Sequence, residues 1–271
     1  MLLGCDFSSA PTRRKPIVVA TGSLTQAGSA VRLDELLSFV SLQAWGDWLA
    51  SQPEWIGAFD FPFSLPRELV EHLGWPITWP ELVAHYACLD RAEIRRLFAA
   101  FCAARPVGGK FAHRATDGPA GSSSSMKWVN PPVAYMLHAG VPRLLATGAT
   151  FPGLHVPTNE TNRVALEGYP GLLARELIGR HSYKSDDKAR QTQERRAARA
   201  ELVARLVRGD TRLAFSLDAT PAQIEMLLDD ASGDAVDAVL CLVQAAWASQ
   251  RAPGFGLPAG IDPLEGWIVT A

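Results

Sequence analysis

No stretch of this chain approaches the ~18 consecutive apolar residues of a membrane span. No sign of charge prevails either: 26 Lys and Arg face 28 Asp and Glu, for a net charge of −2. That balance excludes a global basic field, so any polyanion must be met by local patches. Cysteine is scarce, and Cys5, Cys88, Cys102 and Cys241 form no Cys-x-x-Cys pair. Their small apolar neighbours predict buried free thiols in a reducing compartment. The six histidines form no His-x-x-x-His pair, which argues against a zinc enzyme. There is no Gly-x-Ser-x-Gly elbow around Ser122–Ser125, and Gly108-Gly109-Lys110-Phe111 lacks the spacing and hydroxyl of a P-loop. The opening Met-Leu-Leu-Gly-Cys-Asp has no basic region before its short apolar run. The expectation is a chain without a signal peptide, and cytoplasmic.

The 271 residues are 48% hydrophobic and 20% charged, ample for one large core. Leu2–Cys5 and Pro16–Thr21 read as strands, and residues around Ser29–Leu33 close a meander. Apolar positions at helical spacing predict a helix from about Asp34 to Gln52, ended by Pro53. A buried strand, Trp55–Phe59, follows. Residues 64–160 read as a helical and loop insertion, with two amphipathic pieces in Glu81–Ala104, a long loop from Pro106 to Pro132 and a helix over Pro132–Leu145. A third apolar strand, Val164–Leu166, precedes a turn and a helix through Ile178. Further helices are expected over Asp186–Val207, Ala222–Leu228 and Asp234–Ser249. The pattern predicts a single α/β domain over 1–271, with an antiparallel meander, then parallel strands, and helices on both faces.

One pattern repeats three times. Asp6 follows Leu-Leu-Gly-Cys, Asp60 follows Ile-Gly-Ala-Phe, and Glu167 follows Val-Ala-Leu. Each carboxylate stands at the C-terminal edge of an apolar strand, where open α/β sheets build ligand sites. Burial there is costly unless the charge is paired or bound to a metal. The helix Asp234–Ser249 adds two acids: at 100° per residue, Asp237 lies beside the stripe Val236, Val239, Leu240, Val243 and Trp247, with Asp234 just beyond. Carboxylates drawn onto one point repel. A hard divalent cation, Mg²⁺ or Mn²⁺, resolves that and leaves room for phosphate oxygens.

This order of elements and acids resembles the ribonuclease H-like superfamily, and Asp234-Ala-Val-Asp237-Ala-Val-Leu is similar to the last acidic helix of Holliday-junction resolvases. More closely, the chain resembles a family of bacterial and archaeal proteins of unknown function, described as predicted nucleases of that fold. The matching segments are GCDFSSAPTRRKPI, GAFDFPFSLPREL, SSSSMKWVNPPV, EGYPGLLA, SYKSDD, GDAVDAVLCLVQAAWA and EGWIV, which are spread over nearly the whole span of the chain. The resemblance implies a ribonuclease H-like mixed sheet, metal-dependent hydrolysis of nucleic acid, and Asp6, Asp60 and Asp237 as metal ligands, with Glu167 or Asp234 completing the set.

Lys184, just before the long helix, is a candidate for reaching the scissile phosphate. Of the local basic patches, Lys110, His113, Arg114 and Lys127 in the long loop suit phosphate contact. On the helix expected over Asp186–Val207, Asp187, Glu194 and Glu201 interleave with Arg190, Arg195, Arg196 and Arg199, which favours intrahelical pairing. Two rival readings stand beside the nuclease. One is an ATP-dependent phosphotransferase of the actin-like or sugar-kinase type, suggested by Asp6-Phe-Ser8-Ser9 but weakened by Phe61-Pro62 after Asp60. The other is a catalytically silent nucleic-acid-binding protein.

Overall fold

Short apolar runs, most of them covered on both faces, form a six-stranded mixed sheet in the computed structural model, which describes residues 1–271. Its strands are β1 (Leu2–Asp6), β2 (Ile17–Leu24), β3 (Ala30–Phe39), β4 (Trp55–Phe59), β5 (Arg163–Glu167) and β6 (Ser216–Asp218), in the order β5-β4-β1-β2-β3-β6. β1, β2 and β3 form the antiparallel meander, while β4 and β5 add in parallel on the β1 side. The helices are α1 (Leu42–Ser51), α2 (Arg67–His72), α3 (Trp79–Ala87), α4 (Arg91–Ala103), α5 (Asp117–Ala120), α6 (Val133–Ala146), α7 (Pro170–Ile178), α8 (Gln193–Arg208), α9 (Pro221–Asp229) and α10 (Asp234–Ser249). No helix is long and apolar enough to cross a membrane.

The expected α/β architecture holds, with three local corrections. The segment from Asp34 is not helical: β3 continues to Phe39, paired with Ile17, and α1 starts only at Leu42. Ser41 decides the boundary, its hydroxyl accepting from the Ala44 amide. Val40, an apolar residue inside the span expected to be helical, is 52% exposed in the connection. Likewise α8 begins at Gln193, capped by Thr192, and not at Asp186. β6 was missed because three residues are too short for any periodicity to register. Of the four free cysteines, Cys88 is exposed, contrary to expectation; the other three are buried.

Each face of the sheet has its own core. Leu3 and Cys5 of β1 pack with Trp45 and Leu49 of α1 and with residues of α2, α3, α4 and α6. Leu2, Val18 and Ala20 pack on the opposite face with α7, α8 and α10. α10 is the central helix of that face, and 13 of its 16 residues are buried. Its apolar surface is therefore nearly continuous, as expected of a helix enclosed on all sides. The five-residue stripe of the sequence reading was too narrow.

Gly4 sets how closely α10 lies on β1. A Cβ at Gly4 would overlap the Ala238 carbonyl oxygen and the Leu242 nitrogen. Asp6, two residues on, faces the same side and meets the first turns of α10.

Candidate metal centre

β1, β4 and β5 are adjacent and parallel, so their C-terminal ends form one edge. Asp6 ends β1, and Asp60 directly follows β4, with its amide bonded to the Cys5 carbonyl at 2.9 Å. Strand alternation then decides where each carboxylate points. Ala58 packs on the α10 side, in contact with Cys241, and so Asp60 points there too. Asp237, on the first turn of α10, completes the group: one oxygen from each of Asp6, Asp60 and Asp237 lies within 4.8 Å of the others.

Two lysines temper this charge. Lys184 donates to Asp237, as does the Tyr183 hydroxyl. Lys15, from the turn before β2, bridges Asp234 at 2.6 Å and Asp186 at 2.9 Å. Gly233, at φ +77°, begins α10 and makes room for Lys184, whose Cβ would stand 2.6 Å from any Cβ at that position. Five carboxylates, Asp6, Asp60, Asp186, Asp234 and Asp237, stand against two ammonium groups, Lys15 and Lys184, and Lys15 is taken up by Asp234 and Asp186. Asp234 is thus the partner of Lys15 and stands outside the triad. Lys15 and Tyr183 are the parts that sequence reasoning missed. Both lie in segments that carry the family resemblance, Lys15 in GCDFSSAPTRRKPI and Tyr183 in SYKSDD, but neither residue has a role that its local spacing reveals.

Glu167 takes a different place. It pairs in register with Phe59, one residue short of Asp60, so it points to the opposite face. There it accepts the Phe63 amide at 2.9 Å and the two guanidinium nitrogens of Arg114 at 2.6 and 2.7 Å. Arg114 also binds Asp117 at 3.0 Å, and all three side chains are buried. The residue in register with Asp60 is Gly168, against Ala58 and Cys241. Glu167 therefore borders the cleft without joining the three aspartates.

Of the loop cations, Lys127 bonds the Asn130 carbonyl at 2.8 Å, and Lys110 is exposed near Cys102. Neither lines the cleft of about 240 Å³ beside the aspartates, which is bounded by Asp60, Phe61, Arg114, Glu167, Tyr169 and Lys184 among others.

The electrostatics follow from this crowding. Burial, with the Asp237 charge next, pushes the Asp60 carboxyl up to about 7. Burial and the neighbouring aspartates raise Asp6 well above the usual carboxylate range. Burial raises Asp234 as well, against the pull of Lys15. For Lys184, burial acts downward, but Asp237, Tyr183 and Asp6 outweigh it and hold the ammonium charged. A carboxyl whose pKa rises on folding keeps its proton in the native state where the unfolded chain has lost it. Stability in EDTA should therefore fall as pH rises from about 4 to 7. Asp60→Asn should reduce that fall, read from urea midpoints across the range. For the parent, Mn²⁺ affinity should climb by about tenfold per pH unit below 7, as the ion displaces a proton. A pH dependence unchanged in the variant would remove Asp60 from the coupled group.

Oxygen-only ligands at this spacing suit a hard cation such as Mg²⁺ or Mn²⁺. No family model matches the chain, and no curated protein or solved structure matches it.

Proposed function

We propose that this protein is a divalent-metal-dependent nuclease of the ribonuclease H-like kind, hydrolysing phosphodiester bonds. The observation that carries the reading is the convergence of Asp6, Asp60 and Asp237 within 4.8 Å. The topology supports it: a three-stranded antiparallel meander extended by two parallel strands beside β1. Acids on the first strand, after the fourth strand and on the last helix are what the family resemblance implies.

In this reading Asp6, Asp60 and Asp237 hold Mg²⁺ or Mn²⁺. Such an ion supplies Lewis-acid activation of water and of the leaving oxygen. Lys184, 41% exposed at the cleft, neutralises charge on the incoming phosphate. Asp60, half-buried at the cleft, gives up its proton as the ion binds and so joins the ligand set as a carboxylate. Glu167 and Arg114 hold the wall of the cleft.

The test is a melting series with Mg²⁺, Mn²⁺ and ATP, alongside cleavage of end-labelled single-stranded and duplex DNA and RNA. A metal-dependent rise in Tm and cleavage, both lost in Asp6→Asn, are expected. A rise with ATP and none with metal would favour the phosphotransferase and sink this reading.

A further inference from the structure

A second opening meets the cleft at the aspartates. This groove, of about 600 Å³, is lined by Tyr169, Arg175, Arg180, His181, Lys184 and Asp60, among others. Arg180 and His181 are exposed at its outer end, and neither takes part in an ion pair of the chain. Asp60, Tyr169 and Lys184 line both spaces, so groove and cleft are continuous across the candidate metal centre. The two spaces differ in chemistry. The groove carries the exposed Arg180 and His181, whereas the cleft, whose Arg114 is paired with Glu167 and Asp117, has an apolar wall of Phe61, Val133, Met136 and Ile268 with Ser122 and Ser123 at its side.

Tyr169 stands at the junction, and its orientation is fixed. The Arg175 guanidinium lies 5.2 Å from its ring centre and donates to its hydroxyl at 3.1 Å. The absence of a side chain at Gly171 leaves space for the ring, which a Cβ would approach to 2.9 Å. An aromatic ring beside a basic track is the arrangement that holds a single strand, with phosphates on the cations and a base against the ring. At about 240 Å³ the cleft is smaller than the ~300–1,000 Å³ of drug-sized ligand sites, a space suited to one base-sized group turned out of a strand.

We propose that the substrate is an unpaired nucleic-acid strand, its backbone on Arg180 and His181 and one base lodged in the cleft beside Tyr169, whose ring Arg175 holds in place through bonds to its hydroxyl and to the Ala120 carbonyl. This rests on the nuclease reading for its chemistry but not for its test. The polyanion track is then the α7 side of the site, not the loop carrying Lys110 and Lys127.

The experiment is an anisotropy titration with fluorescent oligothymidylate and with a hairpin duplex of equal nucleotide number, in Ca²⁺ and in EDTA over a range of salt. The single strand should bind at least about tenfold more tightly. The Arg180→Ser/His181→Ser variant should bind it more weakly and lower the salt slope by about 0.7 per lost phosphate contact. Tyr169→Leu should weaken binding about fivefold or more with the slope unchanged, since stacking carries no charge. Should Tyr169→Leu fail to fold, the exposed Arg180 and His181 pair carries the test. Duplex binding equal to or tighter than that of the single strand overturns the inference, as does a double variant with the parent's affinity and slope. The nuclease reading fails separately, if the Mn²⁺ melting shift is absent while single-strand binding persists.

Discussion

Replacing Asp237 by Asn should remove most of the stabilisation that Mn²⁺ confers while changing the metal-free protein little. The side chain is fully buried and shares its surroundings with Asp6 and Asp60, so its charge opposes theirs. The same charge attracts Lys184 and accepts the Tyr183 hydroxyl. Asn keeps the shape and an acceptor for Tyr183, relieves the repulsion and gives up the attraction. Lys184 is 41% exposed and can turn to solvent without leaving an unpaired buried charge. The opposed changes should leave the apo variant within about 1 kcal/mol of the parent, less than the ~1–3 kcal/mol lost when a buried partner goes unsatisfied. Metal response behaves otherwise. Each tenfold loss of affinity removes about 1.4 kcal/mol of stabilisation at saturating Mn²⁺. Cleavage should fall by about a hundredfold or more, because misplacement of reacting groups is felt steeply. Melting curves of both proteins, with Mn²⁺ and with EDTA, check this. An apo variant weakened by about 3 kcal/mol with its Mn²⁺ response intact would make Asp237 an internal anchor for Lys184 and Tyr183.

The triad was legible because each strand-end acid interrupts an apolar run, and because an acid on an otherwise apolar helix stands out. What the pattern could not resolve was parity. Asp6 and Asp60 fall on the α10 side of the sheet and Glu167 on the other, a difference of one residue in register that only the pairing of Phe59 with Glu167 reveals. The lysine partners were hidden for a related reason: Lys15 and Asp234 are 219 residues apart, and no local spacing connects them. The helix reading of Asp34–Val40 failed where a strand with one exposed face carries apolar residues at mixed spacing, and Ser41 was the overlooked stop. The burial of α10 was underestimated because amphipathic templates look for a stripe, whereas Gly4 permits the helix to bed directly on the sheet.

Arg114→Met should be the most destabilising of the substitutions considered, at about 3–5 kcal/mol, the cost of breaking a buried ion pair from one side. Its guanidinium is 1% exposed and serves two carboxylates, Glu167 and Asp117, themselves 3% and 0% exposed. Met fills similar volume but removes the guanidinium from both acids: Glu167 keeps the Phe63 amide, and Asp117 keeps the Arg114 amide, the Ser122 hydroxyl and the His113 imidazole at 3.8 Å. Lys at this position should rescue little, because one ammonium cannot reproduce the paired nitrogens that meet Glu167. Adding Glu167→Leu to Arg114→Met should cost less than the two changes measured separately, by about 0.5–3 kcal/mol, since the double variant no longer strands the Glu167 charge. Urea denaturation of the four proteins closes this cycle. The effect should also spread along the cleft, because the same loop is tied to the chain's last turns: Ala115 and Thr116 bond Glu265 and Ile268 at 2.9 Å. Had Arg114 been a free phosphate contact, Met would fold normally and weaken only nucleic-acid binding. Unchanged stability with a reduced salt slope would return it to that role and leave Glu167 without its cation.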